Sequence, residues 1–220
     1  MARNIETSIY LGAFILSVAV FAIGIYVGHI LDQNNLISIS HELSNISNRM
    51  ASLQILLLSD SDSSSFCPVY LTESENLDQE IEQIGYKLSF LEDEKQIFDD
   101  NLKRAYFTLE AESYFLAKKT TSLCNESDIL LINFYSNKNC GQICKDQGVA
   151  VIQARDELAA EGIVVKLFSF DGELDSPIAE AFESEYHVLS YPTLVINEKT
   201  YSGFQSAEQI KEIIRASAGS

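Results

Sequence analysis

Apolar residues follow three different rhythms along this chain, and each predicts a different kind of element. From Thr7 to Leu31 no residue is charged apart from the titratable His29, and the run is long enough to cross a hydrocarbon core of roughly 30 Å. It predicts a transmembrane helix over residues 8–31. Its length favours an uncleaved anchor over a signal peptide, whose apolar region is about 7–15 residues. Next, Leu36, Ile39, Leu43, Ile46, Met50, Leu53 and Leu57 recur at steps of three and four, a heptad seam that predicts a stalk helix over residues 32–58. Such a seam fits a homodimeric coiled coil or packing within one chain, and the GxxxG step of Gly24 and Gly28 adds slightly to the dimer reading.

Residues 59–68, with SDSDSSS and no apolar content in that run, read as a loop. A second seam follows at Leu77, Ile81, Ile84, Leu88, Leu91, Phe98 and Leu102. Residues 69–124 therefore form a coiled-coil helix or a hairpin that turns near residues 97–101, where an aspartate caps the returning helix. The cysteines choose between them. One continuous helix would hold Cys67 and Cys124 about 85 Å apart, whereas a disulfide needs Cα atoms within about 7 Å. A hairpin closed by a Cys67–Cys124 disulfide is expected.

From residue 128 the rhythm shortens. Strands are predicted at 129–135, 163–170, 193–197 and 199–201, and helices at 142–161, 176–186 and 207–216. Residues 128–220 thus read as an α/β domain with helices on both faces of a small sheet.

The net charge of −17 lies beyond the anchor, because Arg3 and Glu6 cancel before it. Such a surface repels phosphates and anionic headgroups, so no nucleic-acid partner is expected. Arg3 precedes the apolar run and Asp32 follows it, which predicts a single-pass protein of the cell membrane. Residues 1–7 form a short cytoplasmic tail and the C-terminal domain is extracytoplasmic. Four cysteines suit an oxidising compartment, which agrees.

The candidate chemistry sits at Cys140-Gly141-Gln142-Ile143-Cys144, where a predicted helix begins directly after an apolar strand. A thiol at a helix N-terminus faces unpaired amides and the positive end of the dipole, which favour the thiolate. Cys140 is therefore the candidate nucleophile and Cys144, one turn deeper, the resolving thiol. Residues four apart on a regular helix are about 6 Å apart, so a bridge is expected to be strained unless the first turn is irregular. No Ser, His and acid set for hydrolysis is evident, and no Gly-rich phosphate loop.

ILLINFYSNKNCGQIC, VVKLFSFD, SYPTLVIN and the closing Gly203 together resemble the thioredoxin superfamily over residues 128–218, with CxxxC in place of that family's CxxC. The resemblance implies a three-layer sandwich and thiol-disulfide exchange on extracytoplasmic proteins, with no cofactor. It also implies a cis Tyr191–Pro192 bond against the cysteine pair, with Tyr191 and Pro192 supporting the substrate. Where the family carries a buried acid before the motif, this chain has Asn133, and Lys166 looks like the family's lysine without its acidic partner. No tryptophan precedes the motif, although Lys138 beside Cys140 favours the thiolate. Copper-delivery proteins of the Sco type are also similar, and that alternative implies Cu(I) held by Cys140, Cys144 and His187. A redox-inactive interaction module is the third reading.

Overall fold

The computed structural model describes residues 7–58 and 63–218, and the chain divides into two units, residues 1–42 and 43–220. Helix α1 spans Thr7–Leu58. In the first unit its side chains from Tyr10 to Ile30 include Leu11, Phe14, Val18, Phe21 and Ile25, all exposed on every side of the helix. It is one helix long and apolar enough to cross a membrane. A helix also suits that setting because its backbone hydrogen bonds close internally.

In the second unit Leu43, Ile46, Met50 and Leu53 of α1 are buried. Beside them Arg49 pairs with Glu73 and Glu80 of α2 (Ser63–Asp93) at 2.6 and 2.7 Å. This part of the stalk seam is therefore covered within one chain. The loop expected over residues 59–68 is corrected by α2, which is already helical at Ser63, while residues 59–62 lie outside the described ones. Serine is only a weak helix opponent, so a run of it does not by itself stop a helix from starting.

After Asp93 the chain reverses through Gln96, at φ 56°, and Asp99 caps α3 (Asp100–Cys124) by accepting the amides of Asn101 and Leu102, both at 3.0 Å. Phe98, expected on the second seam, lies in this reversal and is exposed, because heptad spacing has meaning only while the helix continues. At the open end of the hairpin Cys67 and Cys124 are disulfide-bonded, with Cα atoms 5.6 Å apart.

The sheet comprises β1 (Ile129–Tyr135), β2 (Val165–Asp171), β3 (Thr193–Ile196) and β4 (Lys199–Ser202) in the order β2-β1-β3-β4. β1 and β2 are parallel, as the long crossover through α4 (Gly141–Ala160) requires, and the remaining pairs are antiparallel. One face packs Ile129, Leu131, Val165, Leu194 and Ile196 against α4 and α6 (Ala207–Ala218). On the other, Phe168 and Phe170 meet Phe182 and Tyr114, with ring centroids 5.1–5.4 Å apart. Phe182 belongs to α5 (Pro177–Tyr186), whereas Tyr114 belongs to α3. Phe107 of α3 also reaches Phe170, at 5.4 Å.

Half of that layer is thus hairpin. The sequence division between residues 69–124 and 128–220 separates elements that share one core. A heptad seam shows which face is apolar without showing what will cover it, so the pattern did not reveal the partner.

The Cys67–Cys124 bond closes a separation of 57 residues. Chain-entropy reasoning puts its contribution at about 4 kcal/mol. Replacing both residues by serine is expected to lower unfolding free energy by about that amount in denaturant titrations, with the midpoint moving and the slope rising slightly.

Candidate functional site

Strand β1 delivers the chain to a turn in which Ser136 Oγ accepts the amides of Lys138 and Asn139 at 3.1 and 2.9 Å. The same hydroxyl donates to Glu173, and the Asn139 amide also donates to that carboxylate. These two bonds hold the Glu173 carboxyl below its usual range. Lys138 donates to the Glu173 carbonyl oxygen at 3.3 Å.

Cys140 then forms the N-cap of α4 with no side-chain cap bond. Its side chain thus leaves the first-turn amides of α4 uncapped. Gly141 has φ +53°, a value disfavoured for residues with a Cβ, so the first turn is irregular. Cys140 and Cys144 are disulfide-bonded with Cα atoms 5.5 Å apart. Their exposure is graded, Cys140 being half-buried and Cys144 only 6 % exposed.

Pro192 reaches the same end of the sheet through register. Phe134 pairs with Thr193, so Pro192 stands one step further on, beside Tyr135, where β1 ends and the chain leaves toward Cys140. The Tyr191–Pro192 peptide is cis. Gly203, at φ +80°, donates its amide to the Pro192 carbonyl at 2.9 Å. Tyr191 donates to the Glu183 carboxylate, and a Cβ on Gly172 would collide with both side chains. Burial raises the Glu183 pKa, while the bond from Tyr191 opposes the rise. Just before this segment Leu189 is 92 % exposed.

A cavity of about 780 Å³ opens between the hairpin, β2 and α4, and Cys144, Asn133, Lys103, Glu110 and Lys166 all line it. Lys166, which has no acid beside it on β1, pairs with Asp78 of α2 at 2.7 Å and with Asp128 at 3.7 Å. The hairpin thus supplies the partner that the strand lacks. Lys103 is held by Glu92 and Asp171 at 3.0 and 3.1 Å, and Arg155 by Glu82 at 2.6 Å.

Glu110 is different. Its Oε1 accepts from Tyr106, whose hydroxyl occupies the space a Cβ on Gly85 would fill, 2.6 Å away. Its Oε2 and the Oδ1 of Asn133 are buried with no hydrogen-bond partner among the described residues. Burial pushes the Glu110 carboxyl up to about 8, with Asp78 and Glu82 adding to the rise and the bonds from Tyr106 and the Ser169 backbone opposing it.

Sequence reasoning did not single out Glu110. The available signal was the stripe Lys103, Tyr106, Glu110 and Tyr114, spaced by three or four residues, in which charges interrupt a face that is otherwise buried.

His187 caps α5 in the left-handed region at φ 55°, and its Nδ1 lies 3.0 Å from the Ser184 carbonyl oxygen. Among the described residues no group of three or more His, Cys, Asp or Glu side chains is placed to hold a metal ion, so Cys140, Cys144 and His187 are not assembled into one.

The raised carboxyl makes a pH prediction. An unfolded glutamate titrates near 4.5, so between about 4.5 and 8 the folded chain keeps a proton that the unfolded chain has lost. This group's contribution to stability therefore falls as pH rises through that window. Denaturant titrations from pH 4.5 to 8 should show wild type losing up to about 5 kcal/mol relative to Glu110→Gln. Parallel curves for the two proteins would contradict the assignment. No protein-family model matches the sequence and the comparison with curated proteins finds no match either, so the chemistry is read from the side chains themselves.

Proposed function

We propose that this protein is a membrane-anchored, thioredoxin-like thiol-disulfide oxidoreductase, with Cys140 as nucleophile and Cys144 as resolving thiol. The observation that carries this reading is the Cys140–Cys144 disulfide at the start of α4, with one sulfur-bearing residue half-buried and the other buried. An attacking thiolate needs access to only one sulfur, and the other must be able to leave into a protected site. The sheet order, the helices on both faces and the cis Tyr191–Pro192 bond at the same sheet end support the thioredoxin-like assignment.

Apolar exposure near the pair favours a polypeptide substrate. Ile143 lies within the motif, Leu189 precedes Tyr191 and Phe204 follows Gly203, and all three are exposed. Pro192 has no amide proton to commit to the sheet, which supports this edge as the place where an extended segment would dock. The exposed apolar helix supports reading it as the anchor, and Arg3 before it with Asp32 after it supports a domain outside the cytoplasm. Two disulfides in one chain fit that compartment.

Exchange assays on a scrambled or disulfide-bonded substrate protein test the roles. Cys140→Ser is expected to reduce turnover to background. Cys144→Ser should accumulate a mixed disulfide through Cys140, visible as a covalent adduct on non-reducing gels. Turnover that survives Cys140→Ser, or a wild-type protein that exchanges with no substrate, would overturn the reading.

A further inference from the structure

Between the end of β1 and Cys140 the chain makes a short turn, Ser136 to Asn139, and most of that turn is tied to a single residue in the loop after β2. Ser136 donates its hydroxyl to Glu173 Oε2, and Asn139 donates its side-chain amide to Glu173 Oε1. Both oxygens of one carboxylate therefore go to this turn. The Lys138 ammonium adds a bond to the Glu173 carbonyl oxygen at 3.3 Å. Ser136 Oγ in turn accepts the backbone amides of Lys138 and Asn139 at 3.1 and 2.9 Å. A hydroxyl whose proton is committed keeps its lone pairs aimed, so the bond to Glu173 also steadies the two amides. Asn139 is joined directly to Cys140, and the clamp ends one peptide unit from the proposed nucleophile.

Glu173 is itself fixed. Its amide donates to Asp171 Oδ1 at 3.2 Å, and Asp171 pairs with the buried Lys103 at 3.1 Å. The preceding Gly172 donates its amide to the Tyr135 carbonyl oxygen at 3.0 Å. A Cβ on Gly172 would collide with the Tyr191 ring and the Glu183 carboxylate, so this segment also lies against the side chain that precedes Pro192. One residue of the loop holds the cysteine turn, and its neighbour leaves room for the proline segment. From these contacts we propose that Glu173 is a positioning residue for Cys140: by holding the turn over residues 136–139 it fixes where the nucleophilic sulfur stands relative to Tyr191 and Pro192. The inference rests on the exchange reading above. Its action runs through Ser136 and Asn139 rather than through the sulfur.

The chemistry of the site explains why position matters here. In exchange the Cys140 thiolate forms a bond to one sulfur of the substrate disulfide while the other sulfur leaves with the electron pair. An attacking sulfur that is displaced loses rate at this step, whereas the surface that holds the substrate is unchanged. A carboxylate suits the clamp because two donors face it and both of its oxygens accept. Hydrogen bonds to an ionised acceptor are also stronger than neutral ones. The bonds from Ser136 and Asn139 hold the carboxyl below its usual range, which keeps it ionised near neutral pH.

The experiment follows insulin reduction by the full chain in detergent, with dithiothreitol as electron donor and kcat expressed per Cys140 counted by alkylation and mass spectrometry. Glu173→Ala should lower kcat by about tenfold or more, with KM within about twofold of wild type. Glu173→Gln keeps one acceptor oxygen and should recover part of the loss. Ser136→Ala should resemble Glu173→Ala, and the double variant should lose much less than the product of the two single losses. Gly172→Ala should instead raise KM, because its Cβ displaces Tyr191. If Glu173→Ala does not fold, Asn139→Ala removes one bond of the clamp from the other side and should give a smaller fall in kcat alone. An unchanged kcat in the folded clamp variants, a loss confined to KM, single losses that multiply in the double variant, or the same kcat loss from Gly172→Ala overturns the Glu173 role and leaves exchange intact. A wild type that neither reduces insulin nor exchanges with dithiothreitol overturns the exchange reading itself, and this one with it.

Discussion

One buried ammonium joins the parts of the folded unit. Lys103 near the start of α3 contacts Glu92 at the end of α2 and Asp171 at the end of β2, and lies 5.5 Å from the centroid of the Tyr135 ring at the end of β1. Burial works against its charge, but Tyr135, Asp171 and Glu92 together outweigh that effect and its pKa is raised. Breaking such a pair by removing one partner generally costs about 3–5 kcal/mol, because the other charge is left buried and uncompensated. The ends of both hairpin arms and of the two parallel strands are therefore fixed to one point, at the sheet end from which the cysteine motif departs.

Other ties run from the same hairpin to the site. Asn137 donates to Glu92 at 2.7 Å, Lys145 pairs with Asp93 at 2.7 Å, and Lys166 pairs with Asp78. Exposed pairs of this kind contribute little singly, and the Lys145–Asp93 pair is exposed. Their position matters more. The motif turn, the first turn of α4 and the edge strand β2 are each held by α2, while α3 lies over the opposite sheet face. The hairpin thus forms one wall of the cavity behind Cys144 and covers the edge of a sheet that would otherwise present unpaired groups.

Much of this was legible in the sequence, for reasons that can be assigned to particular residues. The β1 run and the proline before β3 are local signals, and both strands begin where the apolar pattern places them. The hairpin followed from two cysteines and a distance limit, and an aspartate cap was visible within residues 97–101, though not which of Asp99 and Asp100 would supply it. What was not legible depends on contacts distant in sequence. Phe107 and Tyr114 lie past the second seam, and nothing local shows that they meet Phe170 and Phe168. Lys166 looked partnerless because its acid, Asp78, lies 88 residues away. Glu110 belonged to a helix that the sequence pattern treated as stalk, so nothing local marked its burial. The positive φ of Gly141, which reshapes the first turn, has no signal in the sequence beyond the glycine itself.

Two disulfides in one folded unit are assigned opposite roles, a staple at Cys67–Cys124 and an exchanging pair at Cys140–Cys144. The most direct test equilibrates the intact protein in glutathione buffers of graded ratio, quenches with acid, and follows each bond separately by differential alkylation and mass spectrometry. The account predicts that Cys140–Cys144 passes reversibly between oxidised and reduced forms while Cys67–Cys124 stays oxidised and the fold is unchanged. Joint reduction of both bonds with loss of structure, or a Cys140–Cys144 bond that never equilibrates, would contradict it.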